Sequence, residues 1–175
     1  MFVEDMKGMT YVTSSVDGKE YLVRDLPDKQ TAADMLARVR EKLTTLTEHM
    51  KKTYPDDKRV QFLNDHYHND NTELSESTPS VKYTSYNVNK GDAVKLCVRQ
   101  RNDAQEIIEE NTITFVAIHE LAHSMTKEHG HTQTFWANFK LLLQEAVKNK
   151  LYRPQDFEQN HAPYCGIKIT DSPLF

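Results

Sequence analysis

A helix that is apolar nearly all round, yet carries ionisable residues, constrains this chain more than any other feature. The sequence predicts that helix over residues 113–125, with His119, Glu120 and His123 inside it. An all-round apolar helix is a buried one, and buried polar side chains need partners. The two histidines are four apart, so their imidazoles lie about 40° apart around the helix axis and about 6 Å apart along it. A single zinc ion held by both imidazoles would supply the partner.

A catalytic zinc site takes three protein ligands and keeps one position open for water. Candidates for the third ligand are His129, His131 and Glu145. His131 follows the helix-breaking Gly130 and stands four residues before Phe135, on the first turn of a second predicted helix. Folding the apolar face of that helix onto the first one would bring His131 toward the metal. The residues therefore favour His131, with His129 and Glu145 as the alternatives.

Composition bounds the class of protein. A chain of 175 residues predicts one domain over 1–175, large enough for a hydrophobic core. A net charge of −4 weakens the expectation of DNA binding without removing it. No apolar run approaches the roughly 18 residues that a membrane span needs, so no membrane partner is expected. Cys97 and Cys165 form no C-x-x-C pair, and a disulfide between them is the alternative to two free thiols. Two free thiols fit a reducing compartment better, so we expect an intracellular protein, cytoplasmic or nuclear.

The rest of the chain reads as short strands and helices separated by polar loops. A β-prone strand is predicted at 20–24, and Asp28 is a candidate N-cap for a helix whose apolar stripe spans 32–50. Two strands at 83–88 and 93–99 flank a turn-rich segment and form a hairpin. In the second strand the alternation predicts one buried face, with Val94, Leu96 and Val98. It predicts a more exposed face with Lys95, Cys97 and Arg99. The segments without regular structure are a flexible, aperiodic lead-in at 1–19, a surface loop at 64–80 and a mostly irregular tail at 151–175 with a short extended piece at 166–169.

The motif region predicts a pair of packed helices. Asn111 is a plausible N-cap for the first. The second runs over about 132–149 and shows the best helical periodicity in the chain, through residues such as Phe135, Trp136 and Phe139. Residues 81–149 are therefore expected to form the core catalytic region.

The motif region resembles a known family. Residues 114–123 (TFVAIHELAH) and 130–136 (GHTQTFW) are similar to the WLM family of zinc metallopeptidases, which are related to the SprT/Spartan proteases. The similarity is strongest over residues 81–147. It implies an α+β protease of the minigluzincin type, in which a small antiparallel sheet packs on a long N-terminal helix, an HExxH motif helix and a supporting C-terminal helix. It also implies that an edge strand binds the peptide substrate by strand addition.

The resemblance assigns roles by position. His119, His123 and His131 become the zinc ligands, and Glu120 becomes the general base that takes a proton from water and delivers it to the leaving amine. The usual family spacing, with five residues between the second and third histidines, would instead select His129. The phenylalanine four residues later selects His131.

Substrates and rival functions follow from the same resemblance. Family members act on proteins crosslinked to DNA or carrying ubiquitin-like modifiers, so a protein or peptide substrate is expected and DNA is a family-level expectation. In the tail, His161 and Tyr164 are candidate oxyanion donors or packing residues, and Cys165 is a candidate cap on the zinc of a latent form. The alternative function is a non-catalytic, zinc-stabilised module that binds protein or DNA. Glu120 argues against it, because a structural site needs no base.

Overall fold

Helices supply most of the regular structure in the computed structural model, which describes residues 8–78 and 84–175. The helices of this described part are α1 (Lys29–Thr53), α2 (Lys58–His66), α3 (Glu110–Met125) and α4 (Gln133–Lys148). Its strands are β1 (Met9–Thr13), β2 (Glu20–Arg24), β3 (Glu73–Glu76), β4 (Tyr86–Val88), β5 (Ala93–Leu96), β6 (Ala162–Tyr164) and β7 (Ile167–Ile169). This mixture confirms the predicted α+β class.

Helix α1 forms one side of the hydrophobic core. Its apolar stripe is buried as predicted, and it packs against α3, α4 and the N-terminal strands. Asp28 occupies the N-cap position, but its side chain makes no capping bond. One carboxylate oxygen of Asp28 instead lies 2.8 Å from Nη2 of Arg99. The N-cap prediction is therefore right in position, although the carboxylate pairs with the distant Arg99 rather than capping the helix.

A three-stranded sheet in the order β3-β5-β4 lies beside α3. Strands β4 and β5 pair antiparallel, with Val88 opposite Ala93, which confirms the predicted hairpin. Residue 83 of its predicted first strand lies outside the described residues. At Gly91 in the turn, φ is +151° and a Cβ atom would stand 1.8 Å from the carbonyl oxygen of His66. Only glycine fits this close approach between the turn and the end of α2.

The predicted surface loop at 64–80 was wrong for its two ordered parts. Helix α2 extends to His66, and β3 pairs in parallel with β5. Glu76 of β3 is only 3% exposed, because its carboxylate accepts hydrogen bonds from the Arg99 guanidinium and the Arg24 backbone. One of the polar residues that suggested a loop, Glu76, is thus a partner in a buried ion pair.

The predicted buried face of the second hairpin strand is confirmed, and Lys95 is more exposed than its neighbours as predicted, but the prediction was wrong for Cys97 and Arg99. Arg99 is 1% exposed because it pairs with Glu76, and Cys97 is buried because it forms a disulfide with Cys165, with Cα atoms 6.2 Å apart. The prediction of two free thiols was therefore wrong, and the intracellular location loses that support. A Cys165 cap on the zinc is excluded by the same bond.

The chain ends differ from their predictions in detail. The aperiodic lead-in was wrong for β1, which pairs antiparallel with β2. The signal was weak because β1 is half-exposed along most of its length. In the tail, β6 and β7 form a short antiparallel hairpin that includes the extended piece predicted at 166–169.

The helix starts in the motif region follow local chemistry. The N-cap of α3 is Glu109 and not Asn111, whose amide bonds the backbone of Arg153 and the side chain of Gln155. Helix α4 begins as predicted, with Thr132 as its N-cap. No helix among the described residues is both long and apolar enough to cross a membrane.

Candidate active site

Three imidazoles converge where α3 meets the start of α4. His119 and His123 lie on α3, and His131 lies in the turn before α4. Their candidate ligand nitrogens all lie within 4.8 Å of one another. Among the histidine, cysteine and acidic residues that the structure describes, these three form the cluster that could hold a metal ion. The structure thus brings together the three predicted ligands. Their role as zinc ligands remains a prediction.

Phe135 explains how His131 reaches the other two. This phenylalanine is fully buried between the helices, with its ring centroid 4.4 Å from that of His123 and 4.8 Å from that of His131. Gly130, with φ of +82°, supplies the left-handed turn just before His131. The packing of α4 on α3 therefore places His131 next to the two histidines of α3, as predicted from the sequence.

The two alternative third ligands lie elsewhere. His129 is exposed and lines the cleft, but it does not belong to the converging group. The carboxylate of Glu145 is buried between α4 and α1, where it accepts a hydrogen bond from the Tyr54 hydroxyl at 2.5 Å and lies 3.2 Å from Nε2 of His49. Both of its oxygens are thus engaged away from the three imidazoles.

Glu120 adds a carboxylate to the imidazoles. It is 4% exposed, and Oε2 lies 3.1 Å from Nδ1 of His119. A cavity of about 390 Å³ opens in front of Glu120 and the three histidines. Glu120 is therefore buried, but it lines a cavity that a substrate can enter.

The pKa values of two of the three histidines are lowered, which favours their neutral form. Burial, reinforced by the neighbouring His119, His131 and Lys90, lowers the pKa of His123 to about 3. Burial and His119 also lower the pKa of His131, although Glu120 opposes the shift. A neutral imidazole keeps the lone pair that a metal needs. The three imidazoles, with open space in front of them, match the ligand set of a catalytic zinc site.

The hairpin supplies residues that the sequence argument missed. Nδ2 of Asn87 donates to the backbone oxygen of Glu120 at 2.9 Å and to Oγ of Ser124 at 2.7 Å. Nζ of Lys90 donates to the carbonyl oxygens of His123 and Glu128, both at 3.1 Å. Together they fasten β4 and its turn to α3. No local pattern marks them, because their partners lie more than 30 residues away.

The two tail residues predicted as oxyanion donors are placed differently. Tyr164 is buried with its hydroxyl 2.5 Å from Oγ of Ser85, and both residues line a second cavity together with Glu120. Burial raises the pKa of Tyr164, so its hydroxyl keeps its proton. His161 is exposed and lies outside the linings of both cavities beside Glu120.

The sequence of this chain is similar to a protein family and to proteins of other sources. Residues 16–172 match the WLM domain family. The chain belongs to this family. An uncharacterised protein of Acanthamoeba polyphaga mimivirus is 32% identical over 167 residues, which cover 94% of this chain and 84% of that protein. An uncharacterised protein of Invertebrate iridescent virus 3 is 34% identical over 84 residues, 47% of this chain and 50% of its own length.

The fold of this WLM domain also occurs in a solved structure. Wss1 from Saccharomyces cerevisiae superposes with a TM-score of 0.56 at 21% identity, over 73% of this chain and 87% of that one. The sequence resemblance to the WLM family is therefore confirmed. It extends beyond residues 81–147, since the family match includes α1, both cavities and the C-terminal hairpin.

Proposed function

We propose that this WLM domain is a zinc-dependent metallopeptidase that hydrolyses peptide bonds in protein substrates. The carrying observation is the buried Glu120 carboxylate beside His119, His123 and His131, facing an open cleft. A purely structural zinc site is closed by four protein ligands and has no use for such a carboxylate.

The residues of the chain divide the chemistry among them. Zinc, when bound by the three histidines, lowers the pKa of a coordinated water and polarises the scissile carbonyl. Glu120 accepts the proton of the attacking water and delivers it to the leaving amine. Asn87 holds the backbone of Glu120 in place through its 2.9 Å hydrogen bond. The Tyr164 hydroxyl, protonated and close to Glu120, is the candidate donor to the developing oxyanion.

The substrate is proposed to lie along β4. This strand is at the edge of the β3-β5-β4 sheet, and its residues line the cleft next to Glu120. A polypeptide that adds to a sheet edge is held through its backbone, which positions a peptide bond without demanding one side-chain sequence. This arrangement suits an enzyme that acts on protein chains rather than on small molecules.

The proposal is tested by metal content and cleavage measured on the same preparations. Wild type and Glu120→Gln are assayed for bound zinc and for cleavage of casein and of the chain itself. We expect both proteins to bind one equivalent of zinc and wild type alone to cleave. If both retain zinc and neither cleaves, the non-catalytic zinc-stabilised module is the better description.

The physiological substrate is proposed at the level of the family. Proteins crosslinked to DNA or carrying ubiquitin-like modifiers are the proposed substrates, in an intracellular compartment. Cleavage rates measured with single-stranded DNA, with duplex DNA and without DNA test the first class. Equal rates in all three conditions argue against a DNA-linked role, in keeping with the net charge of −4.

A further inference from the structure

A second cavity of about 300 Å³ opens on the other side of Glu120 and His119. It differs from the first cavity in chemistry. The first is lined by amides, a lysine and imidazoles, whereas much of the second is lined by apolar side chains. These are Phe115, Val116, Trp136, Phe139, Ile167 and Ile169, and the charged residues Lys168 and Asp171 also line the cavity.

The rim of this cavity carries apolar surface in contact with water. Trp136 is 37% exposed and Ile167 is 53% exposed, although both are large hydrophobic residues. Exposed apolar side chains are ordinary when scattered, but here two of them converge on a concavity that also contains the proposed general base. An apolar group entering the cavity would bury both.

The outer wall of the cavity is firmly attached. It is the β6–β7 hairpin, which the Cys97–Cys165 disulfide ties to the end of β5. The side chain of Gln100 adds two hydrogen bonds of 3.0 Å, one to the carbonyl oxygen of Pro163 and one from the backbone N–H of Cys165. A wall fixed in this way is organised before a ligand arrives, which lowers the entropic cost of binding.

We propose that this cavity is a specificity pocket that receives an apolar side chain of the substrate residue next to the scissile bond. The proposal rests on the proposed peptidase function, because the shared lining by Glu120 and His119 is what places the pocket beside the reacting bond. Burying a leucine or phenylalanine side chain favours such substrates about 10- to 100-fold over those with a charged residue at the same position.

The first test is independent of catalysis. Trp136 is the single tryptophan of the chain, so its fluorescence reports directly on the pocket. Glu120→Gln is titrated with short alanine-based peptides that differ only in one central residue, Phe or Asp. We expect a saturable blue shift with the Phe peptide at concentrations at least 10-fold below those needed for the Asp peptide.

A matched pair of variants locates the effect. Ile167→Asp places a charge on the exposed rim of the pocket, and Val16→Asp makes a similar change at an exposed turn outside both cavities. In the Glu120→Gln background, Ile167→Asp should weaken binding of the Phe peptide about 10-fold, whereas Val16→Asp should leave it unchanged. Equal weakening in the two variants, or no response of Trp136 to either peptide, overturns the pocket.

The second test separates the pocket from the peptidase proposal. Zinc-loaded wild type is given peptides with Leu, Phe, Asp or Lys on either side of one cleavable bond, and kcat/KM is compared. A preference of at least 10-fold for Leu or Phe on one side, reduced by Ile167→Asp alone, supports the pocket. Cleavage of all peptides at similar rates overturns the pocket and leaves the peptidase function standing. Cleavage of none overturns both.

Discussion

Glu120 and Glu76 are equally buried glutamates with opposite surroundings. They are 4% and 3% exposed. The carboxylate of Glu76 is filled by the guanidinium of Arg99 and the backbone N–H of Arg24, whereas Glu120 lies beside the imidazole of His119 and faces two cavities. Burial therefore does not distinguish the proposed general base from a structural carboxylate. The difference is that the Glu76 carboxylate already pairs with a permanent cation, Arg99, whereas the Glu120 carboxylate does not.

The two environments have different energetic consequences. A buried ion pair costs desolvation energy that its own attraction roughly repays, but removing one partner leaves an unpaired buried charge. This asymmetry applies to Glu76 and Arg99. Oδ1 of Asp28 also accepts a hydrogen bond of 2.8 Å from Nη2 of Arg99. Glu120 has no such cation among the contacts described above, and the contact of its carboxylate is with the His119 imidazole. The comparison predicts that replacing Glu120 lowers the catalytic rate, whereas replacing Glu76 lowers the free energy of unfolding.

Glu120→Gln should give the largest effect, and it should appear in the rate. Loss of the general base is expected to lower kcat by about 10²- to 10⁴-fold. Because the replacement removes a buried charge without unpairing a cation, the free energy of unfolding of the metal-free protein should not fall by more than about 1 kcal/mol. Steady-state kinetics and chemical denaturation on the same preparation check both parts. A variant that unfolds easily would place Glu120 in the structural class with Glu76.

Glu76→Gln should show the converse behaviour. It leaves Arg99 buried with only the partly exposed Asp28 as its anion, and we expect a loss of about 3–5 kcal/mol in the free energy of unfolding. The peptidase rate per folded molecule should stay within about twofold of wild type. Urea denaturation followed by circular dichroism measures the first quantity, and active-site titration with zinc normalises the second. Unchanged stability would show that the ion pair is dispensable.

The difference between these glutamates also marks what the sequence could predict. The motif helix, its partner helix and the meeting of His119, His123 and His131 follow from spacings of three to eight residues, so they were predicted. Glu76, Arg99 and the cysteine pair were misassigned, because their burial depends on partners 23 and 68 residues away along the chain. Periodicity describes one element at a time and says nothing of such pairs.

Helix α2 is a different kind of omission. Its local signals were present, since the Asp57 carboxylate caps Arg59 N–H and both Val60 and Leu63 are buried. At nine residues the helix gives too few turns for a periodicity to stand out. The cavity beyond Glu120 had no comparable signal, because its walls come from α3, α4 and the C-terminal hairpin.

The third ligand offers a sharper test of the open site. His131→Ala should weaken zinc binding more than the 10- to 100-fold expected for loss of an outer-shell partner, whereas His129→Ala should leave it unchanged. Both residues are exposed, so neither change should shift the stability of the metal-free protein by more than about 0.5 kcal/mol. Competition with a zinc chelator measures the affinity. Loss of zinc in His129→Ala and retention in His131→Ala would reverse the assignment.

Glu110 is ion-paired like Glu76 but is more exposed, and its replacement should give the smallest effect. Its side chain, 31% exposed in the first turn of α3, lies 2.6 Å from Nε of Arg38 and 2.7 Å from Nζ of Lys42. Burial alone would raise the pKa of Glu110, but the hydrogen bonds and charges of Lys42 and Arg38 outweigh it and lower the pKa below its ordinary 4.5. The stabilisation is therefore complete above pH 4.5 and is lost as the pH falls through the folded-state pKa.

The measurement for Glu110 is a difference between two stability curves. Because the pair is partly open to solvent, Glu110→Gln should lower the free energy of unfolding by less than about 1 kcal/mol at pH 7. The gap to wild type should narrow as the pH falls below 4.5, since Glu110 becomes protonated as the pH passes its lowered folded-state pKa. Other carboxylates titrate alike in both proteins and cancel in the difference. A gap that does not narrow as the pH falls would mean that Glu110 acts through packing rather than through its charge.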